Sequence, residues 1–102
     1  MKYQINQSRL QTIATKYLLD ELGELKPDKI IPNLEIFFKN GYETALLSYS
    51  PEMNAYYFSI DGNIFGSIMD LFLLSDKEVQ KIIRKLVYDL TGVEVTDIGL
   101  FT

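Results

Sequence analysis

Apolar residues recur at two different spacings along the chain, and each spacing predicts a type of element. From Ser8 onward they return every three or four positions, which predicts a helix over about residues 8–24. Gly23 near its end and Pro27 beyond it are typical stop signals. Residues 26–33 hold a further proline and are expected to form an extended connector.

A hairpin is the clearest local prediction. Residues 34–39 and 42–49 are rich in apolar and β-branched or aromatic side chains, and they flank Asn40-Gly41. Both turn residues tolerate a positive φ, so we expect a two-residue type I′ turn. Residues 51–54 then turn the chain into a third strand over residues 55–60, which completes a three-stranded antiparallel meander.

The C-terminal part is predicted to be two helices and a strand. Asn63 is expected to cap a short helix, and Ser75 with Glu78 forms a capping box that opens a longer one ending at Gly92. Residues 93–101 alternate like a strand with a bulge near residues 97–99. The predicted fold is α+β, in the order α-β-β-β-α-α-β. We expect one domain over residues 1–102, in which the meander and the C-terminal strand form an antiparallel sheet and the helices pack mainly on one face.

The turn lengths assign each residue of the meander to one face of the sheet. The face under the helices is predicted to carry Leu34, Ile36, Phe38, Ala45, Leu47, Tyr49, Tyr56, Phe58 and Ile60. The opposite face then carries Phe37, Leu46 and Tyr57 in line, with Tyr42 at the hairpin end. An outer face is normally polar, so these four residues are a candidate protein interface. The alternative is that the first helix or the N-terminal segment covers them. The apolar tail, residues 98–101, is a second candidate, which either completes the sheet or reaches a neighbouring subunit.

Composition removes several classes of chemistry. The 102 residues include no Cys, no His and no Trp, so disulfides, thiolate metal sites and imidazole catalysis are impossible. The sequence contains no nucleophile elbow, phosphate-binding loop or dinucleotide-binding motif. We therefore expect no enzyme activity, no catalytic or metal-ligating residue, no cofactor and no small-molecule substrate. A small carboxylate-dependent enzyme stays as an alternative.

Charged clusters have an ordinary interpretation beside a functional one. Three carboxylates near the end of the first helix suit a cation site or a solvated helix end: Asp20, Glu21 and Glu24. Residues 61–63 resemble the start of a calcium loop but are expected to form a turn. A basic stripe with one aromatic follows the long helix: Lys77, Lys81, Arg84, Lys85 and Tyr88. The formal net charge of −4 opposes contact with phosphate backbones, so no direct nucleic-acid binding is expected.

The layout of the chain resembles that of small uncharacterised proteins encoded by bacteriophages and large DNA viruses. The resemblance is carried by residues 16–20, the meander, and residues 64–72, 75–83 and 92–95. It implies a viral accessory or virion protein and transfers no functional residue.

We therefore expect a non-enzymatic protein that acts by contact with itself or with another protein. An acidic inhibitor of a host nucleic-acid machine is the alternative, since residues 52–102 hold four basic and eight acidic residues. The polar N-terminus and the lack of a long apolar run predict a cytoplasmic address and no membrane contact.

Overall fold

The computed structural model describes residues 7–102 and confirms the α+β class. Within that range the elements are α1 (Gln7–Leu22), β1 (Glu24–Pro27), β2 (Leu34–Lys39), β3 (Tyr42–Ser50), β4 (Ala55–Asp61), α2 (Gly62–Phe72), α3 (Asp76–Thr91) and β5 (Val95–Phe101). The order is α-β-β-β-β-α-α-β, which adds one short strand, β1, to the predicted order.

The five strands form one mixed sheet in the order β1-β2-β3-β4-β5. The pairs β1–β2, β2–β3 and β3–β4 are antiparallel, and the last two of them form the predicted meander. The last pair differs from the predicted antiparallel sheet, because β5 runs parallel to β4. The reason is the connection: α2 and α3 carry the chain back across the sheet, so β5 enters in the same direction as β4.

The additional strand β1 follows from a tight turn at Gly23. This residue has φ +83° and its amide donates to the carbonyl of Leu19 at 3.2 Å, which ends α1. A Cβ at Gly23 would lie 2.0 Å from the carbonyl oxygen of Phe38, so only glycine fits between α1 and β2. The turn directs residues 24–27 alongside β2, where they pair as β1. Pro27 has no amide hydrogen to donate, and it is tolerated because β1 is an edge strand. The predicted extended connector is therefore wrong: its first two residues belong to β1, and residues 28–33 form a turn in which the amide of Asp28 donates to the carbonyl of Leu34 at 2.8 Å.

Several local predictions are confirmed by backbone geometry. Asn40 and Gly41 have φ of 53° and 81°, as a type I′ turn requires. The Ser75–Glu78 capping box is present, with hydrogen bonds of 3.2 and 3.1 Å. The amide of Ser75, and then its hydroxyl, hydrogen-bond to Glu78 and lower the pKa of that carboxyl from its ordinary 4.5. Gly92 ends α3 with φ 74°.

The N-cap of α2 and the bulge in β5 lie one or two residues from their predicted positions. Asp61, not Asn63, caps α2, and its carboxylate accepts the amide of Asn63 at 2.8 Å. The bulge in β5 lies at Thr96, because Val95 opposes Tyr56 and the next ladder pair is Tyr57 with Asp97.

The main core lies between the helices and one face of the sheet. Its members are Ala14, Leu18, Leu22, Phe37, Ala45, Leu47, Phe58, Ile60, Phe65, Ile68, Leu74, Val79, Ile82, Ile83, Leu86, Val87 and Val95. All three helices therefore bury their apolar sides against the same face, as predicted.

A β-bulge in β3 reverses the predicted faces of β2. Phe37 opposes Ala45 and Phe38 opposes Glu43, so the ladder skips Thr44. The Thr44 hydroxyl donates to the carbonyl of Leu22 at 2.6 Å, which satisfies an acceptor at the end of α1. Beyond the bulge, β2 presents the other set of side chains to the core.

The placement of Phe37 on the outer face is therefore wrong. Its side chain is 1% exposed and meets the ring of Phe58 edge-on, with centroids 6.1 Å apart. The predicted core positions Leu34, Ile36 and Phe38 are wrong for the same reason, because alternation along β2 turns them away from the helices.

Candidate protein interface on the outer sheet face

The outer face is the side of the sheet that points away from the helices. Directly opposed residues share a face, so the ladder defines its rows. The rows through its middle are Glu24–Phe38–Glu43, Lys26–Ile36–Leu46–Ser59–Gly99 and Leu34–Ser48–Tyr57–Asp97, and the pairs Ser50–Ala55 and Asp61–Phe101 lie at its margins.

Five apolar or aromatic side chains occupy the middle of this face, and we call them the outer-face cluster: Leu34, Ile36, Phe38, Leu46 and Tyr57. Ile36 at the centre is 8% exposed, and the other four are half-buried. None of the five belongs to the main core or to the partly buried residues packed on it. Among residues 7–102 they form a second apolar group, on the face opposite the helices. The alternative that α1 covers this face is wrong, because α1 packs on the main core, and the N-terminal segment lies outside the described residues.

Two of the four predicted interface residues belong to this cluster. Leu46 and Tyr57 lie on the outer face as predicted, in neighbouring rows of β3 and β4. Phe37 is in the core. Tyr42 is 76% exposed and opposes Lys39 at the hairpin end, two residues before the bulge, so it lies apart from the cluster. The four residues do not form one patch.

Sequence reasoning missed Leu34, Ile36 and Phe38. Residues 36–38 are all apolar, so alternation does not decide which face of β2 is buried. The bulge at Thr44 sets which face of β2 is buried, and the Thr44 hydroxyl donates to the carbonyl of Leu22, 22 positions earlier in the chain. A polar, β-branched residue directly after the hairpin was the available signal, and it is a weak one.

Carboxylates surround the outer-face cluster. Glu24, Glu43 and Asp97 lie on this face and are exposed. Lys26 is the one cation among the described strand residues of the face, and its ammonium is 3.4 Å from Glu24. The face thus has an apolar centre and an acidic rim.

The acidic cluster at the end of α1 is divided by the turn at Gly23. The Lys39 ammonium lies 3.9 Å from Asp20 and 3.7 Å from Glu21, on the helix side of the sheet. Glu24 belongs to the outer face. In the described part of the chain, no three carboxylates come together as a metal site.

The basic stripe on α3 is partly used inside the molecule. The Arg84 guanidinium donates to the backbone carbonyls of Val95 and Thr96, at 3.4 and 3.3 Å. Lys85 pairs with Asp89 at 3.1 Å. Two of the four cations therefore fasten α3 to β5 or neutralise a neighbouring carboxylate.

Asp28 and Glu35 line a depression of about 280 Å³ beside Leu47 and Tyr56. The Asp28 carboxylate accepts the amide of Ile30 at 2.7 Å, so one of the two groups holds the β1–β2 turn. These two carboxylates are the candidates for the alternative of a carboxylate-dependent enzyme. The expectation of no enzyme activity stays a prediction.

No protein-family model matches the sequence, and neither does any curated protein or solved structure. The resemblance to phage and large-virus proteins accordingly stays a prediction. No helix within residues 7–102 has both the length and the apolar character needed to cross a membrane.

Proposed function

We propose that the chain is a non-enzymatic protein that acts by protein–protein contact through the outer-face cluster, as a cytoplasmic accessory or virion component of a phage or virus. The observation that carries this proposal is the second apolar group, with Ile36 at its centre, on the face opposite the helices. An apolar centre with a polar rim is the usual anatomy of a protein interface.

The rim indicates the chemistry of the partner. Glu24, Glu43 and Asp97 suit a surface whose apolar patch is edged by lysine or arginine. Contact between two copies of this face would bring carboxylates towards one another, which costs binding energy unless they are screened. A different protein is therefore favoured over a second copy at this face.

The acidic rim also supports the second candidate, an inhibitor that occupies the basic site of a nucleic-acid machine. The carboxylates would then carry the affinity, with the apolar centre as a minor contributor. Salt separates the two possibilities, because affinity that depends on exposed charges falls steeply with ionic strength and apolar contact does not.

The test is the affinity of a captured and purified partner for matched leucine variants. Leu46→Lys places a charge in the centre of the cluster, and we expect a loss of about thirtyfold or more, the range of an interface hot spot. Leu71→Lys is the control, because Leu71 is 61% exposed on α2. Circular dichroism verifies that both variants fold. Unchanged binding by folded Leu46→Lys would refute the proposal.

Glu43→Lys, measured at low and high salt, separates the two candidates. For an apolar contact we expect a small change that salt removes. A large loss with a strong salt dependence would favour the acidic inhibitor.

A further inference from the structure

We propose that two copies of this chain pair through the free edges of β5, antiparallel about a two-fold axis at Gly99, to give a ten-stranded sheet. This contact uses the backbone edge of the sheet instead of the outer-face cluster, so it stands or falls independently of the proposed function.

The free edge of β5 is the first observation. β5 is the last strand in the sheet order and pairs on one side only, with β4. It is seven residues long, and an edge strand of that length presents a row of unpaired amides and carbonyls. Arg84 occupies the carbonyls of Val95 and Thr96, and Asp97 accepts the amide of Ile98, which leaves the other amides and carbonyls on the free side of residues 97–101 for pairing.

The contrast with the opposite edge is the second observation. β1 has four residues, ends in Pro27 without an amide hydrogen, and carries the charged residues Glu24 and Lys26. These are standard protections against pairing with another chain. Residues 97–101 contain no proline and no lysine, and their one charge, Asp97, accepts the amide of Ile98 at 3.0 Å.

The third observation is that residues 97–101 are complementary to themselves. With the axis at Gly99, Ile98 opposes Leu100 of the second copy, and Asp97 opposes its Phe101. The pairs of Ile98 with Leu100 lie on the helix side, where Leu100 is 56% exposed in a single copy. At about 3.4 Å per residue, the two Asp97 residues lie about 14 Å apart along the strands, so like charges do not meet.

Gly99 also fits this arrangement. A Cβ there would meet nothing closer than the Ser59 hydroxyl at 3.9 Å, so the single copy does not require glycine at this position. In the pair, the space beside Gly99 accepts the aromatic ring of Phe101 from the second copy, a common way to stabilise a strand glycine. A second copy is therefore a better occupant than an unrelated strand.

Sedimentation equilibrium from micromolar to millimolar concentration tests the proposal. We expect a dimer for the wild type and a dissociation constant at least about tenfold higher for Leu100→Lys, because lysine at a sheet edge opposes pairing. Leu73→Lys, at a residue 90% exposed after α2, is the matched control and should dimerise normally. Leu46→Lys should also dimerise, and a loss there would assign the dimer to the outer face and overturn the proposal.

A measurement on the unaltered protein completes the test. In a mixed sample of labelled and unlabelled wild type, we expect intermolecular NOEs between Ile98 and Leu100 side chains. A protein that stays monomeric at millimolar concentration, or intermolecular NOEs elsewhere, would overturn the proposal.

Discussion

The reversed face of β2 is tested by comparing the same substitution at two adjacent residues. Phe37 is 1% exposed in the main core, whereas Phe38 is half-buried on the outer face. Phe37→Ala and Phe38→Ala remove the same atoms from opposite sides of one strand. Their effects on stability therefore report which side is packed.

The expected costs follow from burial. Truncating a fully buried phenylalanine removes its transfer free energy and leaves a cavity, which costs about 3–5 kcal/mol. Phe37→Ala also removes the edge-on contact with the Phe58 ring, whose centroid is 6.1 Å from that of Phe37. A half-buried residue outside the core costs about 1 kcal/mol, the centre of the range for point substitutions.

The assay is urea denaturation followed by circular dichroism. With a slope of about 1–2 kcal/mol/M for a domain of this size, Phe37→Ala should lower the midpoint by on the order of 2 M and Phe38→Ala by less than about 1 M. If Phe38→Ala costs as much as Phe37→Ala, the bulge at Thr44 is not where the structure has it.

Three smaller predictions concern local geometry. Gly23→Ala should cost at least about 2 kcal/mol in thermal unfolding, because it combines a positive φ with a clash at the Phe38 carbonyl. Thr44→Val keeps the shape but removes a buried hydroxyl bond, for an expected loss of about 1–2 kcal/mol in urea unfolding. Ser75→Ala should cost about 1 kcal/mol at pH 7. The pKa of Glu78 is lowered in the folded state first by the Ser75 amide, which Ser75→Ala keeps, and second by the Ser75 hydroxyl, which it removes. The stabilisation that the hydroxyl adds through Glu78 is complete above pH 4.5 and lost as pH falls further, so that part of the cost of Ser75→Ala should disappear in acid.

The sequence predicts those features whose determinants are neighbours along the chain. Asn40-Gly41 sets its own turn, and Ser75 finds Glu78 three residues away. The bulge at Thr44 could not be predicted in this way, because it is stabilised by the distant end of α1. The direction of β5 depends on how two intervening helices pack, which periodicity does not specify.

The candidate site was predicted in part for the same reason. β4 alternates clearly enough to place Tyr57 on the outer face, and Leu46 follows from its pairing with β4. β2 is apolar on both faces, so its register had to come from the bulge. Because the bulge shifts the pairing of β2 with β3 by one residue, Ile36 and not Phe37 lies at the centre of the outer-face cluster.

The most direct test of the central claim is a methyl NMR titration of the chain with its purified partner. The outer-face account predicts that the methyl signals of Leu34, Ile36 and Leu46 shift or broaden, while those of Ile68 in the core and Leu73 on the helix side do not. A footprint confined to the helix side, with Ile36 and Leu46 unchanged at saturation, would contradict it.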